Sequence, residues 1–154
     1  MRILIWHPLF KSMSKKNLFS DLNLLAVSTG LIYLWFGGLK FFSKMSPAEE
    51  LATNTVEVIT LGIIPPNISI ILLAIWEVAV GIFLITNFYR KQTAVLALVH
   101  IFFTFFPLFL FYEQSFSNPP VGFSLLGQYI FKNVLIIAAL IVIYRSAEQK
   151  KIIR

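Results

Sequence analysis

The stretch NISIILLAIWEVAVGIFLITNF, residues 67–88, decides the fold of this chain. Glu77 is its only charged residue, and its length is what an α-helix needs to cross the hydrocarbon of a bilayer. Because no water is present there, the backbone must satisfy its own hydrogen bonds, which a helix does within one segment. The stretch therefore predicts a membrane-spanning helix with one carboxyl group near the middle of the membrane.

Three further apolar runs of comparable length cover residues 22–42, 93–112 and 125–144. They do not alternate between apolar and polar residues as the strands of a membrane barrel do. Of the 154 residues, 58% are hydrophobic, more apolar surface than a soluble chain of this size could bury. The sequence predicts an all-α membrane protein, a four-transmembrane-helix bundle that forms a single membrane domain over residues 1–154.

The loop after the first span contains a helix signal. Ser46-Pro47-Ala48-Glu49 is typical of a capping box with proline at the first helical position. Apolar residues then recur at helical spacing as far as Ile59. We predict a short amphipathic outer helix over residues 47–60, lying on the outer membrane surface. Any site is expected in the outer half of the bundle, around Glu77 and Lys132, with this helix as its cap. Gly62 and Pro65 are expected to end it before the second span.

Basic residues cluster at alternate ends of the four spans. Loops rich in lysine and arginine stay on the cytoplasmic side of a membrane. Both termini and the turn between the second and third spans are therefore predicted to be cytoplasmic. An N-terminal arm with Trp6 and Phe10 is expected in the headgroup layer, with a frayed terminus as the alternative. The basic residues concerned are Arg2, Lys11, Lys15, Lys16, Arg90, Lys91, Arg145, Lys150, Lys151 and Arg154.

The composition excludes several kinds of chemistry. No cysteine is present, which removes disulfides, thiolate metal sites and thiol redox chemistry. The formal net charge is +6, but the basic residues flank apolar spans, so nucleic acid is not expected as a partner. The sequence contains no metal-ligand cluster, nucleophile–base pair or phosphate-binding glycine loop. We therefore expect no metal and no self-contained catalytic site.

Ionisable side chains are few inside the predicted spans, where such residues usually face the bundle interior or a cavity. Glu77 lies near the middle of its span, and Lys40 and Lys132 lie at similar or shallower depth. We hypothesise that the two lysines and Glu77 form a cluster on the bundle axis. Alternatively, Lys40 reaches the headgroups and only one lysine pairs with Glu77. The full predicted buried polar cluster is Lys40, Glu77, Lys132, Asn133 and Gln128.

His100 is the remaining ionisable residue within a span, and Thr104 follows it by about one turn. A lone histidine in a span is more often a hydrogen-bonded structural residue than a ligand. Next to the phenylalanine-rich run 101–106, it could also donate a hydrogen bond to a quinone carbonyl. His100 and Thr104 are therefore candidate quinone or ligand contacts, whereas bis-histidine haem is not expected because His7 lies in the N-terminal arm.

Small and kinking residues predict how the spans pack. Small residues permit close contact between membrane helices, which predicts that the first two spans approach each other near Glu77. Pro107 is expected to kink the third span. The glycines concerned are Gly30, Gly37 and Gly38 in the first span and Gly81 in the second.

Four segments, taken in order, resemble the DoxX family of small four-span bacterial membrane proteins. They are LWFGGLKFF at 34–42, SPAEELA at 46–52, Trp76-Glu77-Val78 with Gly81, and GQYI at 127–130 with Lys132-Asn133. The resemblance runs from about residue 21 to 144 and implies a four-helix bundle in a bacterial cytoplasmic (inner) membrane. Some members are linked to thiosulfate:quinone oxidoreductase or to a superoxide dismutase–sulfurtransferase complex. Some members of the family carry cysteines, but this chain has none. The resemblance therefore does not imply a thiol-based mechanism here.

Three functions are open at this point. The first is an accessory or quinone-interacting subunit of a membrane redox complex, with no intrinsic cofactor and a quinone as its ligand. The second is a structural or assembly subunit whose buried charges fix helix register. The third is a small-molecule carrier or channel with a polar cavity around Glu77, although the chain is short and lacks inverted repeats. Expected partners are the lipid bilayer and other membrane-protein subunits or a homo-oligomer.

Overall fold

The chain folds into a bundle of helices. The computed structural model describes the backbone of residues 15–152 and the side-chain surroundings of residues 21–148, so the arm with Trp6 and Phe10 lies outside the described residues. In chain order the elements are α1 (Lys15–Leu39), α2 (Glu49–Ile59), α3 (Pro66–Ile85), α4 (Arg90–Phe103), α5 (Pro107–Leu110), α6 (Tyr112–Ser115), β1 (Phe116–Asn118), β2 (Gly122–Phe123), α7 (Leu125–Phe131) and α8 (Asn133–Ile152).

The all-α fold with four spans is confirmed. Four helical segments are long and apolar enough to cross a membrane, which fits a multi-pass integral membrane protein. Their ends lie within a few residues of the predicted ones, and the largest difference is at the end of the fourth, where the helix continues past the apolar run. The four segments are Asp21–Leu39, Pro66–Ile85, Arg90–Leu110 and Leu125–Glu148.

Successive spans run in opposite directions, so both ends of the described chain lie at the same end of the bundle. There, Nη2 of Arg90 at the start of α4 donates to Oδ1 of Asn23 in α1, at 2.7 Å. Nζ of Lys91 lies 2.7 Å from Oε1 of Glu148 in α8. We call this the Arg90 end, and the opposite end, where α2 lies, the α2 end.

The predicted close approach of the first two spans is present, and glycines make it. A Cβ atom on Gly81 would lie 2.8 Å from the backbone oxygen of Gly30, and one on Gly37 would lie 2.7 Å from Cβ of Glu77. Real Cβ atoms do not come this close to other atoms, so a larger residue would push α1 and α3 apart. Gly38 differs, because a Cβ there would have no neighbouring atom within 4 Å among the described residues.

Two apolar cores occupy the two halves of the bundle. The core at the Arg90 end is built from small and aliphatic side chains of all four spans, and the core at the α2 end joins α2 to the third and fourth spans. The first contains Ala26, Tyr33, Val80, Leu84, Ala94, Ala97, Ile101, Leu140 and Ile143. The second contains Leu51, Leu108 and Ile130, with Phe105, Phe111, Phe123 and Leu126 packed against them.

The third and fourth spans are both interrupted between the two cores. α4 ends at Phe103, and α5 begins at Pro107, so the predicted effect of this proline is confirmed as a break in the helix. The intervening turn uses shorter-range hydrogen bonds, such as Phe106 N to Phe103 O at 3.1 Å. In the fourth span a single turn residue, Lys132, separates α7 from α8.

The helix predicted over residues 47–60 is α2, which begins two residues later, at Glu49. The predicted capping box is wrong. Oγ of Ser46 is buried and has no hydrogen-bond partner in the described part of the chain, and Ala48 is the N-cap residue. The carboxylate of Glu49 instead accepts from the backbone N–H of Lys44 at 2.7 Å. Lys44 has a φ of +64°, which turns the chain so that this N–H faces the helix start.

The short helix packs on the end of the bundle, in the capping position predicted for it. Leu51, Thr53 and Thr55 are its buried residues, whereas Glu57 and Val58 are exposed. Thr55 satisfies its hydroxyl by donating to the backbone oxygen of Leu51 at 2.6 Å. The amphipathic character was predicted correctly, but its apolar face covers protein.

Gly81→Ala tests the close contact of α1 and α3. The added methyl group would meet the backbone of α1, which cannot move away without separating the helices, so we expect a loss of about 1–3 kcal/mol in the free energy of unfolding. Gly38→Ala is the matched control, since it adds the same methyl group to α1 in open space and improves helix propensity. Thermal unfolding in mild detergent measures both, and equal stability of the two variants would contradict the contact.

Candidate functional site

A cavity of about 410 Å³ lies within the bundle, between the two cores. This is within the range of roughly 300–1,000 Å³ found for small-molecule sites. Its wall is mainly apolar and draws on all four spans, and α2 adds a further part of the lining from residues such as Leu51 and Val56. Lys40 and Glu77 are the charged residues that line it among the described part of the chain.

Lys40 and Glu77 form an ion pair in the wall of this cavity. Nζ of Lys40 lies 2.6 Å from Oε2 of Glu77, and their side chains are only 7% and 10% exposed. Lys40 follows the last residue of α1, and its side chain folds back so that Nζ also lies 3.4 Å from the backbone oxygen of Phe36. The carbonyl groups at a helix C-terminus lack partners and carry partial negative charge, which favours an ammonium group there.

Local packing lets this pair form. Because Gly37 has no side chain, α3 approaches α1 beside Glu77, and the carboxylate reaches Lys40 one turn further along. An ammonium group has three donors, and Glu77 and Phe36 accept two of them. The third N–H of Lys40 has no acceptor among the described residues and is available to a molecule in the cavity.

His100 of α4 lies on the other side of the Glu77 carboxylate. Its Nε2 lies 3.5 Å from Oε1 of Glu77, and its side chain is 12% exposed. Nδ1 is buried and has no hydrogen-bond partner in the part of the chain that the structure describes. A buried polar atom without a partner is uncommon and unfavourable, so this nitrogen is a candidate for contact with a water molecule or a ligand.

Tyr33 supports His100 and was not singled out from the sequence. Its ring centroid lies 5.9 Å from that of His100, and its hydroxyl donates to the backbone oxygen of Ala97 at 3.2 Å. Both contacts cross from α1 to α4, between residues far apart in the sequence. A tyrosine in an apolar span is usually a packing residue, so only the fold could show that it faces His100.

Asn133 and Thr104 join the two interrupted spans. Nδ2 of Asn133 donates to Oγ1 of Thr104 at 2.9 Å, and Thr104 in turn donates to the backbone oxygen of Ile101 at 2.6 Å. Both residues line the cavity with His100. Irregular backbone at membrane depth occurs where it is buried in protein or lines a cavity, and these two breaks meet that condition.

Two members of the predicted polar cluster lie elsewhere. Lys132 is exposed on the bundle surface, with Nζ 3.9 Å from the ring centroid of Tyr129 and 4.6 Å from that of Phe36. Gln128 is exposed too, and its side chain donates to the backbone oxygen of Phe123 at 3.3 Å. Gln128 and Lys132 share one helical face, which points outward, whereas Tyr129 and Asn133 on the adjacent face line the cavity.

The structure thus brings together Lys40 and Glu77, as predicted, and adds His100 to them in place of Lys132. The two alternatives were a cluster of both lysines with Glu77 and pairing of one lysine with Glu77. The structure has a single pairing, and the lysine is Lys40, which the second alternative had placed among the headgroups. The sequence also predicted that the helix over residues 47–60 would cap a site around Glu77, and α2 lines the cavity there with residues such as Leu51 and Val56.

The groups of this site can form hydrogen bonds and can bind and release a proton. Glu77 can hold a proton, His100 can exchange one with it, and Lys40 and Asn133 can donate hydrogen bonds to an oxygen atom. Within residues 21–148, no group of three or more histidine, aspartate or glutamate side chains could hold a metal ion. The site therefore suits binding and orientation of a polar group within apolar surroundings.

Comparison with protein-family models, with curated proteins and with solved structures finds no match to this chain. The interpretation of the site therefore depends on its own geometry.

A double-mutant cycle tests the buried ion pair. We expect Lys40→Met or Glu77→Met alone to lower the free energy of unfolding by about 3–5 kcal/mol, because each leaves an uncompensated buried group. The double variant should lose much less than the sum, since both charges are gone.

The exposed pair Lys91–Glu148, with side chains 39% and 47% exposed, is the matched control. There we expect Lys91→Met to change stability by no more than about 1 kcal/mol. Unfolding in detergent measures both cycles, and simple additivity at Lys40 and Glu77 would show that the pair is not coupled.

Proposed function

We propose that this protein is a quinone-interacting subunit of a redox complex in a bacterial cytoplasmic membrane. The observation that carries the proposal is the Lys40–Glu77–His100 group in the wall of a mainly apolar cavity within the membrane-spanning part of the bundle. A quinone combines an apolar ring with two oxygen atoms that accept hydrogen bonds, and its reduced form donates them. The cavity offers both kinds of partner.

Each residue of the site has a role under this proposal. Lys40 donates its free N–H to a ring oxygen, and the unpartnered Nδ1 of His100 supplies or accepts a second hydrogen bond. Glu77 holds or releases one of the two protons taken up when a quinone is reduced by two electrons to a quinol. Asn133, held by Thr104, limits the space beside the ring. Under this proposal a partner subunit of the complex supplies or accepts the two electrons.

The resemblance to the DoxX family supports the same proposal, since some of its members are linked to membrane redox systems that use quinones. One segment of the resemblance, residues 34–42, covers the end of α1 and supplies Lys40. The segment Trp76-Glu77-Val78 supplies the partner of this lysine. The segments that carry the family resemblance therefore contain both members of the buried ion pair, Lys40 and Glu77.

A structural subunit is the second candidate, and one observation favours it. Gly37 packs against Glu77 and precedes Lys40 by three residues, so the ion pair also fixes how α1 and α3 align. If this were its whole purpose, replacing both charges by apolar residues would leave the function of any complex intact. Loss of quinone binding in a double variant that is still folded would favour the quinone proposal instead.

Membrane orientation is a further part of the proposal, and the cysteine-free chain makes it testable. We expect the Arg90 end to face the cytoplasm, because Arg90 and Lys91 lie there. A membrane-impermeant maleimide added to intact cells should label Val121→Cys at the α2 end, where the native residue is 82% exposed. Thr86→Cys, near the Arg90 end, should react only after the membrane is permeabilised. The reverse pattern would invert the topology.

Quinone binding can be measured by titrating the protein in lipid nanodiscs and following its tryptophan fluorescence. We expect His100→Phe to weaken binding about tenfold, because it removes one hydrogen bond while keeping an aromatic ring of similar shape. Gln128→Leu is the matched control, since Gln128 belonged to the predicted cluster but does not line the cavity. It should bind like the unmodified protein.

Absence of saturable quinone binding by the unmodified protein, together with absence of any redox partner in mild-detergent preparations from native membranes, would refute the proposed function.

A further inference from the structure

We propose that the ligand is an uncharged, ring-headed amphiphile with a long apolar tail, and that it enters from the lipid through a lateral window between α3 and α4. The inference deepens the proposed function and rests on it. We define the lateral window by three residues that line the cavity, Leu73 of α3, Phe103 of α4 and Ile59 of α2.

The position of the window follows from helix geometry. Glu77 and His100 face each other across the gap between α3 and α4. Leu73 precedes Glu77 by four residues and Phe103 follows His100 by three, so each lies about one turn nearer to the α2 end on the same side of its helix. Glu77 and His100 therefore close the gap between α3 and α4 at their own depth. One turn nearer to the α2 end, the apolar side chains of Leu73 and Phe103 line the gap.

Exposure of the lining residues indicates that this gap is open to the bilayer. Phe103 is 45% exposed and Ile59 is 42% exposed, although both line the cavity. A side chain that contributes to a cavity wall and to the outer surface marks a place where the wall is thin. Ile32 marks a second such place on the α1 side, but there the packed rings of Phe36 and Tyr129 lie beside it. Because these side chains are apolar and Phe103 lies in a span, the medium outside them is lipid.

The other routes into the cavity are less suitable. At the α2 end, α2 covers the cavity with apolar residues including Leu51, Ala52 and Val56, which oppose the passage of water and of charged solutes. Toward α7, the rings of Phe36 and Tyr129 pack edge to face with centroids 5.4 Å apart, and Lys132 lies over both. That side combines a closed aromatic contact with a cation.

The charge of the cavity limits the head of the ligand. The two charged lining residues compensate each other at 2.6 Å, so their net charge is zero. A charged head would have to leave water for this site without a counter-charge, which is strongly unfavourable. An uncharged ring with oxygen atoms meets Lys40, His100 and Asn133 at no such penalty. The cavity of about 410 Å³ holds a ring and part of a tail, so the rest of a long tail must leave through the window.

Blocking the window by chemical modification tests the inference. The variants Phe103→Cys and Ile59→Cys are reacted with a bulky apolar maleimide, which is selective because the chain has no other cysteine. The probe is a benzoquinone with a ten-carbon tail, and its association rate with protein in nanodiscs is measured by stopped-flow fluorescence. We expect modification at either position to slow association at least about tenfold.

Ile32→Cys is the matched control. Ile32 of α1 also lines the cavity and is 40% exposed, but it lies away from α3 and α4 on the side of Phe36. Modification there should change the association rate by less than about twofold. Each variant is also measured before modification, so that loss of folding is distinguished from blockage.

The outcomes separate the two proposals. Slower association after modification at residues 103 and 59 but not at 32, with the tail-less benzoquinone binding far more weakly than the tailed one, supports the window. Equal binding of both probes, or blockage at residue 32 alone, overturns the window and leaves quinone binding standing. Absence of binding by all unmodified variants and by the parent protein overturns the proposed function, and the window with it.

Discussion

The ion pair of Lys40 and Glu77 is the constraint on which the rest of the bundle depends. The charge of the Glu77 carboxylate in the apolar span of α3 must be compensated. The ammonium group of Lys40, which follows α1, compensates it at a distance of 2.6 Å. For the pair to form, α1 and α3 must approach closely, which the glycines at positions 30, 37 and 81 allow. The residues that contact this pair then form the wall of the cavity.

The polar layer around the pair also explains why the other two spans are irregular. Thr104 and Asn133 lie at the breaks in the third and fourth spans and hydrogen-bond to each other at 2.9 Å. Irregular backbone at membrane depth is tolerated where it is buried in protein or lines a cavity, and both breaks line the cavity through Thr104 and Asn133, with α2 covering the same cavity at its end of the bundle.

The number, length and alternation of the spans were predictable, because hydropathy alone determines which segments can leave water. The contact of Lys40 with Glu77 was also predictable, since few groups were present to compensate this carboxylate. The direction of Lys132 was not, because the helical face that it shares with Gln128 could point into the bundle or outward, and only the packed structure shows that this face is exposed. Tyr33 also escaped prediction, because its partners Ala97 and His100 are distant in sequence.

Because a polar layer separates the two cores, the two ends of the bundle differ in their resistance to local unfolding. The core at the α2 end consists of three buried residues joined to short helices, whereas the core at the Arg90 end draws on nine buried residues from four long ones. Regions with fewer buried apolar contacts open at a smaller free-energy difference than the whole fold. We therefore expect the α2 end to open at a smaller free-energy difference than the Arg90 end.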